Sequence, residues 1–143
     1  MKHLALNFFR LGATALNISG LDGLIGRNHK GLGAVFVLHS VVRDWRDYLF
    51  DDLRTSSAFL ESLIRPFIAN GIDIVTIDDV VRRLEGASAR PFVCFTFDDG
   101  FKDNLTTVLP IFARHNAPFT VFVTTCFIER MIDNWWTGLA EIL

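Results

Sequence analysis

Cysteine is scarce in this chain: Cys94 and Cys126 are the only two among 143 residues. Both sit in or just after apolar, strand-like runs, where a thiol packs as a small hydrophobe. The expectation is two buried, reduced thiols and no disulfide framework, so cysteine usage does not fix the compartment. Lysine is nearly as rare, with Lys2, Lys30 and Lys102 alone, and the net charge is −2 with both signs interspersed. That balance excludes a nucleic-acid surface and a polybasic membrane patch. No uninterrupted apolar segment approaches the ~20 residues of a membrane span, because Asn7, Arg10 and Asn17 break the run from Met1 to Leu21. Internal repeats and low-complexity tracts are lacking too. What remains is a core-forming sequence: half the residues are hydrophobic and 14 are Phe, enough for one domain or part of a larger one.

In chain order, Leu4, Phe8, Leu11 and Ala15 fall at helical spacing and suit an amphipathic helix lying on the domain or on a membrane surface. A cleaved signal is the lesser reading of this segment; a cytoplasmic or membrane-peripheral location is favoured over secretion. Gly20 to Gly33 reads as loop, so residues 1–33 form an N-terminal helical and loop segment and 34–143 the folded domain. Ala34 to Val42 predicts a buried strand with His39 near its end, and Arg43 to Arg54 a surface loop anchored by Trp45, Tyr48 and Phe50. Thr55, Ser56 and Ser57 offer N-caps to a helix carrying Phe59, Leu60, Leu63, Ile64, Phe67 and Ile68. Asn70-Gly71 stops it. Ile72 to Ile77 is a short strand, Asp78 caps a brief helix through Leu84, and Glu85 to Arg90 turns into the next strand. Lys102 to His115 places Leu105, Val108, Leu109 and Phe112 on one helical face. Pro118 breaks that helix, and Phe119 to Thr125 reads as a fourth strand. Strands alternating with helices favour a parallel sheet or barrel.

The stretch that organises the rest is FVCFTFDDGFKDN, Phe92 to Asn104. Six residues suited to a buried strand end abruptly at Asp98, Asp99 and Gly100, which places charge at the carboxyl end of a sheet, where α/β folds keep their chemistry. Two adjacent acids repel, so a fold that keeps both at a dry strand end usually supplies a cation or splits their pKa values. Read alone, the same tripeptide is a turn or a helix cap. Likewise His39 alone is more often a core histidine, Asp103 reads as a charge favourable to a helix N-terminus, and His115 as a partner of a helix C-terminus. Asp78-Asp79 opens a helix and reads as capping.

Taken together, these segments carry a resemblance. TFDDG (Thr96 to Gly100) after an apolar strand resembles the first motif of the polysaccharide deacetylases, the NodB-homology domain. VLHSV (Val37 to Val41) resembles that family's first-strand segment. IVTIDDVV after Asn-Gly, and FKDNLTTVLPIFARHNAPFTVFVTT after the motif, resemble the units that follow, and Trp135-Trp136 resembles a "WWD" segment. The resemblance runs from about Gly33 to Leu143, with its segments in the family's order.

It implies the N-terminal portion of a distorted (β/α)7 barrel, truncated before the second half, and metal-dependent removal of acetyl groups from N-acetylglucosamine-type glycans. By position in the motif, Asp98 would be the general base and Asp99 a ligand of a divalent metal, Zn²⁺ or similar. Thr96 and Gly100 would shape the strand end, His39 would face the same mouth, and Trp135 and Trp136 would stack on a sugar or pack in the core. The family's metal site also needs an H-(S/T)-x-x-H segment. The four histidines here, His3, His29, His39 and His115, hold no such pair, so activity is expected in a fuller form. Such a part is expected to expose an apolar edge and to self-associate. Two other classes stand beside this one: a non-catalytic remnant or carbohydrate-binding module of the same fold, and a phosphoacceptor domain holding Mg²⁺ at paired acids. The last would want a lysine at a later strand end, and none is present.

Overall fold

The strand Phe92–Phe97 is buried at every position, and the other elements are arranged around it. The computed structural model describes residues 31–43, 54–87, 90–129 and 131; all but Gly31 belong to the unit Leu32–Leu143. In chain order the elements are β1 (Gly33–Leu38), β2 (Ser40–Val42), β3 (Arg54–Ser56), α1 (Ser57–Ala69), β4 (Asp73–Val75), α2 (Ile77–Arg82), β5 (Phe92–Phe97), α3 (Leu109–Arg114), β6 (Thr120–Val121) and α4 (Thr125–Ile128). A wide π-type turn over Asn104–Val108 leads into α3.

All strand pairings in the main sheet are parallel. β1 runs along one edge of β5 over its full length, from Gly33 opposite Phe92 to Leu38 opposite Phe97. The other edge is shared: β4 pairs with Phe92 to Cys94, and β6 with Thr96 and Phe97. The expected β/α alternation with a parallel sheet is therefore present, and among the described residues the sheet is open.

Side chains alternate across the pleat, and both faces of β5 are covered. On one face Val93, Phe95 and Phe97 pack with Leu60 and Ile64 of α1 and with Val108, Ile111 and Phe112. Phe95 stacks on Phe36 at 5.1 Å between ring centres and meets Phe112 edge-on at 5.3 Å; Phe97 meets Phe119 edge-on at 5.7 Å. This cluster is the energetic centre of the domain, since aromatic burial dominates core stability. On the opposite face Phe92 and Cys94 pack with Val75 and with Val80 of α2. Val35 and Val37 of β1 lie in register with Cys94 and Thr96, yet they are exposed, as are Phe122 and Val123. Apolar exposure is also found on the helices and turns, at Phe59, Val81, Leu84, Leu105 and Ile128 among others.

Several sequence expectations are corrected. The single strand over Ala34 to Val42 is two strands broken at His39. β1 follows β5, whereas β2 pairs with β3 in a separate two-stranded parallel sheet, and changing partner requires a residue outside both ladders. Ser56 caps α1, its hydroxyl accepting from the Phe59 amide at 3.1 Å, but Thr55 and Ser56 also form β3. Asn70 and Gly71 do end α1: Gly71 has φ +66, and the Ile72 amide returns to the Phe67 carbonyl at 2.9 Å. Thr76, not Asp78, caps α2, in a reciprocal capping box with Asp79. The helical turns continue past Arg83 until Gly86, at φ +95, breaks them. The strand expected from Phe119 to Thr125 shortens to two residues, because β5 ends at Phe97. The Phe122 amide takes the Phe97 carbonyl at 2.8 Å, and no ladder remains beyond it. On the helix that follows β5, Val108 and Phe112 are buried as expected, but Leu105 and Leu109 are exposed while Asn104 and Ile111 are buried. The π-type turn rotates the buried stripe.

Cys94 is fully buried and Cys126 half-buried, and both are free thiols; burial raises the Cys94 pKa, with Asp79 adding to it. No described helix is long and apolar enough to cross a membrane. The expected N-terminal helix, the anchors Trp45, Tyr48 and Phe50, and the pair Trp135 and Trp136 lie outside the described residues.

Candidate active site at the carboxyl end of the central strand

The ladder between β1 and β5 closes with the Asp98 amide donating to the Leu38 carbonyl at 2.9 Å. One residue beyond the last register pair, Leu38 and Phe97, stand the two side chains of interest. His39 Nε2 lies 4.0 Å from Asp98 Oδ2, and the two side chains are 25% and 37% exposed. This is an ion-pair distance if the imidazole is protonated and slightly too long for a direct hydrogen bond. Both groups reach solvent, so a substrate or a water can approach them.

After Asp98 the chain turns sharply. Asp99 has φ +70 and Gly100 φ +68. Two consecutive left-handed residues fold the backbone back over the strand end; glycine adopts this freely, aspartate at a cost. The Asp99 carboxylate is held by the Thr124 hydroxyl, which donates to Oδ1 at 3.3 Å. A Cβ on Gly100 would meet the Val123 side chain at 3.3 Å, so the glycine provides close approach as well as its φ. Beside this turn lies a cleft of about 230 Å³, lined by Phe101, Asn104, Leu105, Phe119 and Val123 among others. Its walls are mostly apolar.

Thr96 is buried, and its hydroxyl donates to the Phe36 carbonyl at 3.3 Å. It cross-links β1 to β5 below the acids and does not reach the cleft. Asp98, Asp99, Gly100 and His39 are thus brought together at the strand end, and Thr96 supports them from beneath.

Four residues outside the sequence-predicted set also contribute. Thr124 holds Asp99. The Ser40 hydroxyl donates to Asp103 Oδ2 at 2.5 Å, so Asp103 binds a neighbouring strand and makes no side-chain cap to its own helix. Asn104, 5% exposed, donates from Nδ2 to the His39 carbonyl at 3.0 Å and to Asp103 Oδ1 at 3.1 Å. The sequence did carry a signal for Asn104: it shares a helical phase with Val108, Ile111 and Phe112, a core stripe on which an amide is out of place. His115 instead sits at the far end of α3, 3.6 Å from Glu61 Oε1.

The donor set was tested against a metal ion. Among the described residues no three His, Cys, Asp or Glu side chains converge to hold one, whereas Zn²⁺-type centres usually take three protein ligands. The described residues therefore do not amount to a metal centre, and no chemical step is assigned to a metal.

Comparison with known proteins bears on this strand end. Residues 85–143 match the family model described as polysaccharide deacetylase. No curated protein matches the chain. Among solved structures, a de-N-acetylase from Aggregatibacter actinomycetemcomitans is similar, with a TM-score of 0.53 and 26% identity. The match covers 62% of this chain and 36% of that one, so the chain spans little more than a third of that structure. The DDG turn, the strand that carries it and the helix that follows all lie inside the matched segment, which supports a polysaccharide deacetylase domain in this chain.

Proposed function

We propose that this chain carries the base-bearing part of an enzyme that hydrolyses acetyl groups from N-acetylglucosamine-type poly- or oligosaccharides. The observation that carries the reading is the adjacent pair Asp98 and Asp99 at the open carboxyl end of the central strand, with His39 4.0 Å from Asp98, inside and beside a segment matching the deacetylase family. In this reading Asp98 takes a proton from water as the water oxygen attacks the acetamide carbonyl. The C–N bond then breaks as that proton is passed to the nitrogen, releasing acetate and leaving the amine on the sugar. His39 lies against the Asp98 carboxylate and restricts its orientation. Thr96 and Gly100 shape the strand end. Asp99 would offer one carboxylate to a divalent cation such as Zn²⁺, whose remaining ligands would come from outside the described residues; Trp135 and Trp136 would stack on the glycan.

A second reading has a specific observation in its favour: with fewer than three converging metal donors among the described residues, the domain would be a non-catalytic remnant or carbohydrate-binding module of the same fold. The two readings part on one assay. Incubation with an N-acetylated chito-oligosaccharide and Zn²⁺ is expected to release acetate in step with free amine. Binding of the sugar with no acetate above the buffer rate would support the remnant instead.

Self-association belongs to the same proposal, supported by exposed Val35 and Val37 on the β1 edge. So does a cytoplasmic or membrane-peripheral location, supported by the interrupted apolar run before Leu21.

A further inference from the structure

His39 occupies an unusual backbone position. It lies between β1 and β2, in neither ladder, so strand pairing alone does not fix it. Three contacts do. Before it, the Leu38 carbonyl accepts from the Asp98 amide. At it, the His39 carbonyl accepts from Asn104 Nδ2; after it, the Ser40 hydroxyl donates to Asp103. The last two come from adjacent residues, bound to each other through Asn104 Nδ2 and Asp103 Oδ1 at 3.1 Å. Asp103 and Asn104 thus hold the Ser40 side chain and the His39 carbonyl from the start of the helical segment that follows the Asp99–Gly100 turn.

The grip has an energetic cost. Asn104 Oδ1 is buried with no hydrogen-bond partner among the described residues, and an orphaned buried acceptor is destabilising. Turning the amide over would not help, because it would set oxygen against the His39 carbonyl oxygen. A leucine on this otherwise apolar stripe would carry no orphaned oxygen but would leave the His39 carbonyl without its donor, so it is that bond, and not packing, that accounts for asparagine there.

We propose that Asp103 and Asn104 are positioning residues whose function is to hold His39 against the Asp98 carboxylate. Its consequence for turnover rests on the reading of Asp98 as the base; the positioning itself does not. Through Ser40 and the His39 carbonyl, the start of the helical segment after the DDG motif fixes the backbone from which the imidazole projects toward the carboxylate.

The test uses two variants of the full chain, Asn104→Leu and Ser40→Ala, with Ser40→Thr as the rescue and Asp98→Asn as the reference. The readout is the side-chain ¹⁵N spectrum of His39, alongside thermal unfolding. Both variants are expected to move the His39 ring resonances toward their positions in Asp98→Asn, and Ser40→Thr to restore them. Thermal unfolding checks that each variant folds, so that a shift of the His39 resonances reports its position and not loss of structure. If the chain deacetylates, both variants should lose about 10²-fold in kcat with KM little changed. His39 resonances unchanged in both variants would overturn the proposal. If Asn104→Leu does not fold, the Ser40→Ala and Ser40→Thr pair decides it alone. Absence of deacetylation would remove the reading of Asp98 as base and leave the spectral test intact.

Discussion

At the scale of the residue, Asp99 is the side chain whose backbone and chemistry pull in different directions. Its φ of +70 is a conformation that costs a residue bearing a Cβ about 1–2 kcal/mol, less for aspartate, whose carboxylate can bond locally as it does to Thr124. Asp99→Ala keeps the Cβ and loses that bond, whereas Asp99→Gly loses the bond but removes the strain. We therefore expect Asp99→Gly to unfold within about 1 kcal/mol of wild type and Asp99→Ala to be the less stable of the two by about 1 kcal/mol. Thermal unfolding of both checks this, and an alanine variant as stable as the glycine one would contradict it. The acids themselves were legible in the sequence because an apolar strand cannot continue through Asp-Asp-Gly. Asp103 was not, and Asn104 only as an amide out of place on an apolar stripe, because their partners, Ser40 and the His39 carbonyl, lie more than sixty residues away and only the sheet register brings them together.

Elements were legible where local signals agreed. α1 has its cap, its apolar stripe and its Asn-Gly stop, and it forms much as its sequence indicates. The strand after Pro118 has equally strong β-favouring residues but finds β5 for only two of them. The break at His39 is likewise set by a change of partner that no local pattern announces. α2 is short enough to depend on its cap. Thr76 and Asp79 satisfy each other, and the Asp79 carboxyl is held below its ordinary pKa first by the Thr76 hydroxyl and then by Arg82. Asp73 and Glu61 are lowered in the same direction, chiefly by Arg83 and Arg65. A carboxylate with a depressed folded-state pKa stabilises at pH values above its unfolded pKa, and this contribution is lost as pH falls through the folded value. Thermal stability should therefore decline as pH drops below about 4. Thr76→Ala should cost about 1 kcal/mol at neutral pH and show a shallower acid decline. An acid slope identical to wild type would show that the capping box does not contribute to it.

At the scale of the whole molecule, one strand does most of the organising. β5 carries the core on one face and the α2 contacts on the other, and it ends in the two acids, so fold stability and the candidate site depend on the same six residues. Both of its edges are taken, and within the main sheet Val35 and Val37 of β1 are left exposed. Sedimentation of the chain over a tenfold range of concentration is expected to show association that weakens when Val37 is replaced by lysine. A single monomeric species at every concentration would remove the self-association proposal.

The central claim is that Asp98 is the base of a deacetylase site, and the most direct test is acetate release from an N-acetylated chito-oligosaccharide by wild type and by Asp98→Asn. Asparagine preserves the shape of the side chain and the backbone bond to Leu38 but cannot accept the proton. The account predicts that Asp98→Asn folds as wild type does and loses about 10²- to 10⁴-fold in turnover. Turnover retained in Asp98→Asn would contradict it.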